Sequence, residues 1–382
     1  GVATGGCTSF SILGKLQVND GYFSTRESGG IITWDDAAGE LIINGGIVDV
    51  KQYRSAGSSG GLASFTQSGG TFLLRGRFQH TPSAFSNITD LKDFSSNTLN
   101  TNRVTDGLNG SLATFNINEP ANVFAMSGGT IRIYDVCGTG DSEAFQVFSS
   151  EANNSVSGGT LEIIPTTGSG TDATAFYVET TADLGNLTIN RASSSASVDL
   201  KTNDLTVLND VTITSGDLNA NNLNLTIGGD FILESGTSYA PGSNTTTFNG
   251  SQNQQLTINL ASAQNFNNFT LNNTSGNKLT ISGTQSTINI NSTLTIQKGE
   301  LADNGKTINV TGDIFNGGTH SGDGKIVLNG SADQVINGSG NGVFGNIELN
   351  NTSGSTAPVS LGANTTISGT LTLSQDNLFD IS

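Results

Sequence analysis

Short blocks in which every second residue is apolar recur along this chain, and they set the tightest limit on what it can fold into. NLTIN (186–190), DVTIT (210–214), NLNLTI (222–227), KLTIS (278–282), STINI (286–290), KTINVT (306–311) and GTLTLS (369–374) put Leu, Ile or Val on one side and mostly Thr or Asn on the other. A period of two marks an extended strand with one face buried. Thr and the β-branched residues suit a pleated surface, while the neighbouring Gly, Asn, Asp and Ser suit tight corners. No segment keeps a helical period over three turns, so the chain is expected to be all-β.

Self-similarity then selects among β architectures. NLTIN at 186 realigns with NFTLNN at 268 and NIELNN at 346, about 80 residues apart each time. DVTITSGDLNANNLNLTIGGDFI (210–232) matches STLTIQKGELADNGKTINVTGDIF (292–315), and TFNGSQNQQLTI (247–258) matches VLNGSADQVI (327–336). LNNTSG occurs twice, at 271–276 and 349–354. Roughly eight short strands per repeat are too many for a four-stranded propeller blade. Three short strands per coil of roughly twenty residues, coil stacked on coil, fit better. The expected fold is a right-handed parallel β-helix forming a single elongated rod. Leu, Ile, Val and Phe would ladder inside it, and Thr and Asn outside.

The first half carries a looser mark, a Gly pair before a strand: SGGIITW (28–34), NGGIVDV (44–50), SGGTFLLRG (68–76), SGGTIRIYD (127–135) and SGGTLEIIP (157–165). The irregular spacing calls for insertions, the largest being 79–110, read as a solvated side loop or a contacting loop. The organisation is therefore irregular coils over 1–182 and regular repeats over 183–382, the third copy truncated.

Composition removes several functions. With 32 acidic against 15 basic residues the net charge is −17, which repels nucleic-acid backbones and anionic membranes. Apolar runs are too short to span a bilayer, and any export signal is expected to lie outside these residues or to have been removed. Cys7 and Cys137 form no CxxC pair, and a disulfide, two buried thiols or two unrelated residues all fit. Paired acids at Asp35–Asp36, Asp141 with Glu143 and Asp172 with Glu179 read as ordinary corners before they read as a glycosidase pair. His80 and His320, the only two histidines, lack a GxSxG context and read as surface residues. The Gly pairs are not phosphate loops. GTGDSE (138–143) and SGDGK (321–325) are fragments compatible with weak calcium sites only. Phe outnumbers Tyr and Trp, 19 to 5 and 1, so stacking inside is expected, with Trp34 the residue to test as a sugar platform. The Asn-x-Ser/Thr sequons follow from corner composition. No catalytic, cofactor or metal residue is assigned, and the chain is expected not to be an enzyme.

The order TFNGSQNQQLTI … NFNNFTLNNTSGNKLTIS … STLTIQKGELADNGKTINVTGD resembles repeats of very large secreted surface proteins of Bacteroidetes, including the mobile adhesins of gliding flavobacteria. The likeness covers about 183–382 closely and the SGGT coils of 28–164 loosely. It implies export by the type IX secretion system, an extracellular place on the outer-membrane exterior and attachment machinery outside this segment. Polysaccharides or surfaces would be the partners. The expected role is a non-enzymatic structural segment, a stiff stalk or display scaffold for adhesion or gliding. The alternative is a carbohydrate-active β-helix, a lyase or glycosidase; Arg75, Arg77, Arg103 and Arg132 converging with acids in one groove would favour it.

Overall fold

A computed structural model describes residues 9–24, 31–34, 39–55, 62–80, 115–117, 120–133, 142–164, 175–191, 197–374 and 379–380. Apart from one three-residue 3-10 turn at Glu151–Asn153, its regular structure is strand, and every assigned pairing is parallel. Parallel neighbours cannot be joined by hairpins, so each return takes a full coil. The result is the parallel β-helix that the alternation predicts. Contacts divide the chain into two compact units, 1–208 and 209–382.

In the first unit, three ladders of strands run coil to coil. One carries Val48, Phe72, Ile131, Leu161 and Leu187 in register. A second carries Phe115, Phe145, Val178 and Leu200. The third carries Leu16, Leu41, Phe65 and Phe124, and then Asn154. The aromatic residues fill the interior as expected: Phe65 stacks on Phe124 at 5.8 Å, Phe115 on Phe145 at 5.1 Å, and all four are buried. Thr71–His80 pairs with Phe115–Ile117, so Gln79 and His80 belong to the coil, and the insertion placed at 79–110 begins after them. Residues 81–114 lie outside the described residues.

The Gly pairs at 45–46, 69–70, 128–129 and 158–159 share one corner. A Cβ on Gly69 would sit 2.4 Å from the Asn44 carbonyl oxygen, and one on Gly128 would sit 2.5 Å from that of Ser68. Backbone stacks on backbone there, and no side chain fits between. Outside the same corner, Asn44 Nδ2 donates to Asn19 Oδ1 at 2.8 Å and Ser68 Oγ to Asn44 Oδ1 at 2.9 Å. Gly70 carries a second constraint, φ +65°, and its Cβ would meet the Gly45 carbonyl carbon at 2.6 Å. Gly70→Ala is expected to cost about 3 kcal/mol, from left-handed strain plus an immovable clash. Gly14→Ala, with nothing within 4 Å, should shift the urea midpoint negligibly.

The second unit is more regular. Coils run from 18 residues (Ile308 to Ile326) to 25 (Leu256 to Ile281). One column reads Ile288, Ile308, Ile326, Ile347 and another Phe269, Leu294, Ile314, Ile336, all buried. Burying each such side chain contributes about 1.5–3 kcal/mol before entropy is subtracted. The outward asparagine ladder is present too: Asn309 Nδ2 donates to Asn289 Oδ1 at 2.9 Å, and Asn289 Nδ2 to Asn265 Oδ1 at 2.8 Å.

The repeated phrases turn out to be corner chemistry. In LNNTSG the second asparagine, Asn273 or Asn351, is buried, and Gly276 or Gly354 takes a positive φ. Thr274 N–H donates to the Gly250 carbonyl at 3.0 Å and Thr352 N–H to that of Gly330 at 2.9 Å, so each LNNTSG stacks on an NGS corner. The buried glutamine after that corner, Gln254 or Gln334, is also matched: its amide donates to Ile227 and Gly229, or to Val310 and Gly312. The strand count differs from expectation. The repeat holds eleven strands, not eight, counted from Gln254–Ile258 up to its equivalent Gln334–Asn337. Three strands make a coil, so eleven leave the copies one strand out of phase. Gln254–Ile258 therefore lies in the ladder of Val211 and Phe231, and Gln334–Asn337 in that of Leu294 and Ile314.

Candidate functional site

A groove opens in the first unit where its third ladder ends. The ladder's last strand is Asn154–Val156, in which Asn154 occupies the register position of Phe124. Residues 181–184 of the following coil come beside it, and they form no strand there. The missing strand leaves a cavity of about 910 Å³, at the upper end of the range usual for small-molecule sites.

Hydrogen bonds fix its wall. Thr181 Oγ1 donates to the Ser149 carbonyl at 2.7 Å, Asn154 Nδ2 donates to the same oxygen at 3.2 Å, and Asn153 Nδ2 holds the Pro120 carbonyl at 2.8 Å. Three wall residues nevertheless keep buried polar atoms with no partner: Ser149 Oγ, Asn154 Oδ1 and Asn203 Nδ2. These are three of the nine such side-chain atoms among the described residues. Ser149 is fully buried.

Glu151, Asp183 and Asp204 give the groove its charge. Partial burial raises the pKa of the Asp183 carboxyl, and the neighbouring Glu151 charge raises it further. The folded chain therefore holds this proton more tightly than the unfolded chain does. The stability it contributes is complete in acid and is lost as pH rises through the folded pKa. Glu151→Gln is expected to lower the Asp183 pKa, read directly by carboxyl NMR titration. Asp183→Asn should flatten the pH dependence of stability in that window.

A second cavity, of about 530 Å³ in the other unit, is chemically satisfied: Lys278 Nζ lies 3.3 Å from Glu300, and Ser321 Oγ donates to Glu300 at 2.6 Å. Among the described residues no group of three or more His, Cys, Asp or Glu is arranged to hold a metal ion, and no helix is long and apolar enough to cross a membrane.

Of the residues singled out in the sequence, Arg132, Glu179, His320 and Asp323 are described with their side chains, and none of them lines this groove. Asp35, Asp36, Asp141, Asp172, Arg103, Cys7 and Cys137 lie outside the described residues, as do the side chains of Trp34, Arg75, Arg77, His80 and Glu143. Glu179 is buried and accepts from Gln146 Nε2 at 2.9 Å, while Arg132 pairs with Glu162 on the adjoining rung. In SGDGK, Gly324 N–H donates to Asp303 at 2.7 Å and Asp323 is exposed. His320 corrects the surface reading. It stands in register with Leu301, is buried, and brings Nε2 to 2.9 Å from Asp303 Oδ2, both side chains fully enclosed. Neither a protein-family model, nor a curated protein, nor a solved structure matches the chain.

Proposed function

We propose that the chain is a non-enzymatic structural segment of a secreted bacterial surface adhesin, a β-helical stalk or display scaffold exported by the type IX system. The observation that carries this reading is where the repeated residues go. Gln254, Gln334 and Asn351 are buried and bond both ends of their amides at the corners, and Asn273 Oδ1 accepts from Gly250 N–H. Selection for such a repeat is selection for stacking. The export route and the outer-membrane exterior come from the resemblance of the repeats. Antibody labelling of intact cells, with and without a block in type IX export, tests this. Surface signal lost on the block, together with weaker attachment after in-frame deletion of the segment, is the expected result. A periplasmic or cytosolic signal in unblocked cells overturns it.

The groove favours a second reading, a carbohydrate-active β-helix, because Glu151 and Asp183 place two carboxyl groups in one polar cavity. Release of reducing or unsaturated sugar by the purified chain, abolished in Glu151→Gln, would establish that reading over the scaffold.

A further inference from the structure

We propose that Asn337–Gly338 is a site of spontaneous covalent self-modification, where the chain converts its own asparagine through a cyclic imide into aspartate and isoaspartate. The proposal goes beyond the scaffold reading and does not rest on it, because the reaction belongs to one corner of the second unit.

The chemistry needs three things at once. The asparagine amide must be open to water, the next backbone nitrogen must lie against the amide carbon, and the next residue must have no Cβ in the way. Asn-Gly meets the last condition, and among the described residues it occurs at Asn44, Asn249, Asn304, Asn316, Asn329, Asn337 and Asn341. Five of these corners turn the glycine nitrogen elsewhere. Gly45 N–H donates to the Val18 carbonyl and Gly317 N–H to that of Ile296. Gly250 N–H donates to the side chains of Gln254 and Asn273, Gly305 N–H to Asp303 and Gly330 N–H to Gln334. Asn44 and Asn316 also have both ends of their amides bonded. Gly342 is buried at the head of the strand Gly342–Phe344. Among the described pairs only Gly338 donates to the side chain just before it, Asn337 Oδ1, at 2.9 Å. That contact holds the nitrogen beside the carbon that carries Oδ1 and polarises the carbonyl to be attacked. Asn337 is the exposed last residue of the strand Gln334–Asn337, so water and hydroxide reach it.

The step balances with water as the one co-reactant. Hydroxide takes the Gly338 N–H proton, the nitrogen bonds to Asn337 Cγ, and the Cγ–Nδ2 bond breaks. Nδ2 leaves as ammonia, taking a proton from water. A water molecule then opens either carbonyl of the imide. One opening leaves aspartate in an ordinary main chain, and the other routes the main chain through Cγ and lengthens it by one atom. Either product adds a negative charge to a chain already at −17. The longer form falls where there is no slack, since even a Cβ on Gly338 would collide with the Asn316 carbonyl oxygen of the coil before. Asp20–Gly21 makes the same contact at 2.7 Å, but it would lose and regain water, so its mass does not change.

The test keeps the purified full chain at mildly alkaline pH and follows each Asn-Gly site by peptide mass spectrometry. Fragmentation separates position 337 from 341 and isoaspartate from aspartate. Asn337 is expected to gain the mass of acid over amide about 10- to 100-fold faster than Asn44, Asn249, Asn304, Asn316 or Asn329, because misplacing reacting groups by about 1 Å already costs about 100-fold. Isoaspartate should accumulate at 337, and the rate should rise with pH. In urea the six rates should converge. Asn337→Gln, at an exposed position, should abolish the change at 337, with the circular dichroism spectrum checking the fold. Asn337 reacting no faster than the other five in the folded chain overturns the assignment. So does aspartate without isoaspartate, or the same ranking of sites in urea, which would make the local sequence and not the corner responsible.

Discussion

His320→Ala is expected to destabilise the coils around residues 300–328 by about 3–5 kcal/mol, the cost of removing one partner from a buried pair. In the folded chain the Asp303 carboxylate is held from both sides. Its Oδ2 faces His320 Nε2 at 2.9 Å, and its Oδ1 accepts from Gly305 N–H at 2.9 Å and Gly324 N–H at 2.7 Å. Truncating the imidazole leaves that carboxylate enclosed with no side-chain donor, and it empties the space beside Phe344, whose ring lies 6.5 Å from that of His320. His320→Leu restores the apolar column headed by Leu301 but not the donor, so packing alone should recover only part of the loss. A double-mutant cycle with Asp303→Asn separates the two terms, and a coupling of about 0.5–3 kcal/mol is expected for groups in direct contact. Amide hydrogen exchange at Gly305 and Gly324 reads the effect where it arises. Strict additivity, or unchanged protection, would show that the pair does not hold this corner.

Gln334→Leu is expected to be comparably damaging, about 3–5 kcal/mol, although leucine fits a strand well and has nearly the same volume. The side-chain amide makes four bonds at one corner. Nε2 donates to the Val310 carbonyl at 3.1 Å and to that of Gly312, while Oε1 accepts from Gly330 N–H at 2.9 Å and Asn351 Nδ2 at 2.8 Å. Leucine leaves the Gly330 N–H and the Gly312 carbonyl without a partner, while the Val310 carbonyl keeps Asn329 N–H and Asn351 Nδ2 keeps the Ala332 carbonyl, and each orphaned group costs about 1–3 kcal/mol. Gln334→Glu should be worse at neutral pH than in acid, because a carboxylate cannot donate to two carbonyls and a protonated acid can donate to one. Denaturant melts of the two variants at pH 4 and pH 7 check this. Gln255→Leu, at an exposed position beside the equivalent Gln254, should be nearly silent.

Much of this was legible beforehand because a β-helix writes its geometry into the alternation of the strands. Asn268–Asn272 and Thr287–Ile290 bury the residues that the period of two selects. The Gly pairs signalled a place where no Cβ fits, and the asparagine ladder followed from stacking like on like. His320 was misread for want of one alignment. Setting GELADNGK (299–306) against GTHSGDGK (318–325) puts the histidine in the Leu301 column, and the observed register does the same. The strand count per repeat went astray because three-residue strands such as Gln264–Phe266 and Ile314–Asn316 are too short to show a period. The groove had no sequence signature at all. It exists because one ladder stops after Asn154–Val156, and a local pattern does not announce the absence of a neighbour.

The one-strand offset between copies has a consequence for anything the repeat displays outwardly. A knob, sugar acceptor or epitope at a given repeat position would point a third of a circle away in the next copy, and would face its first direction again only after three copies. Such an array has no front or back. Whatever grips it can do so from any side, and a blocking antibody against one repeat position would shade only one bearing in three.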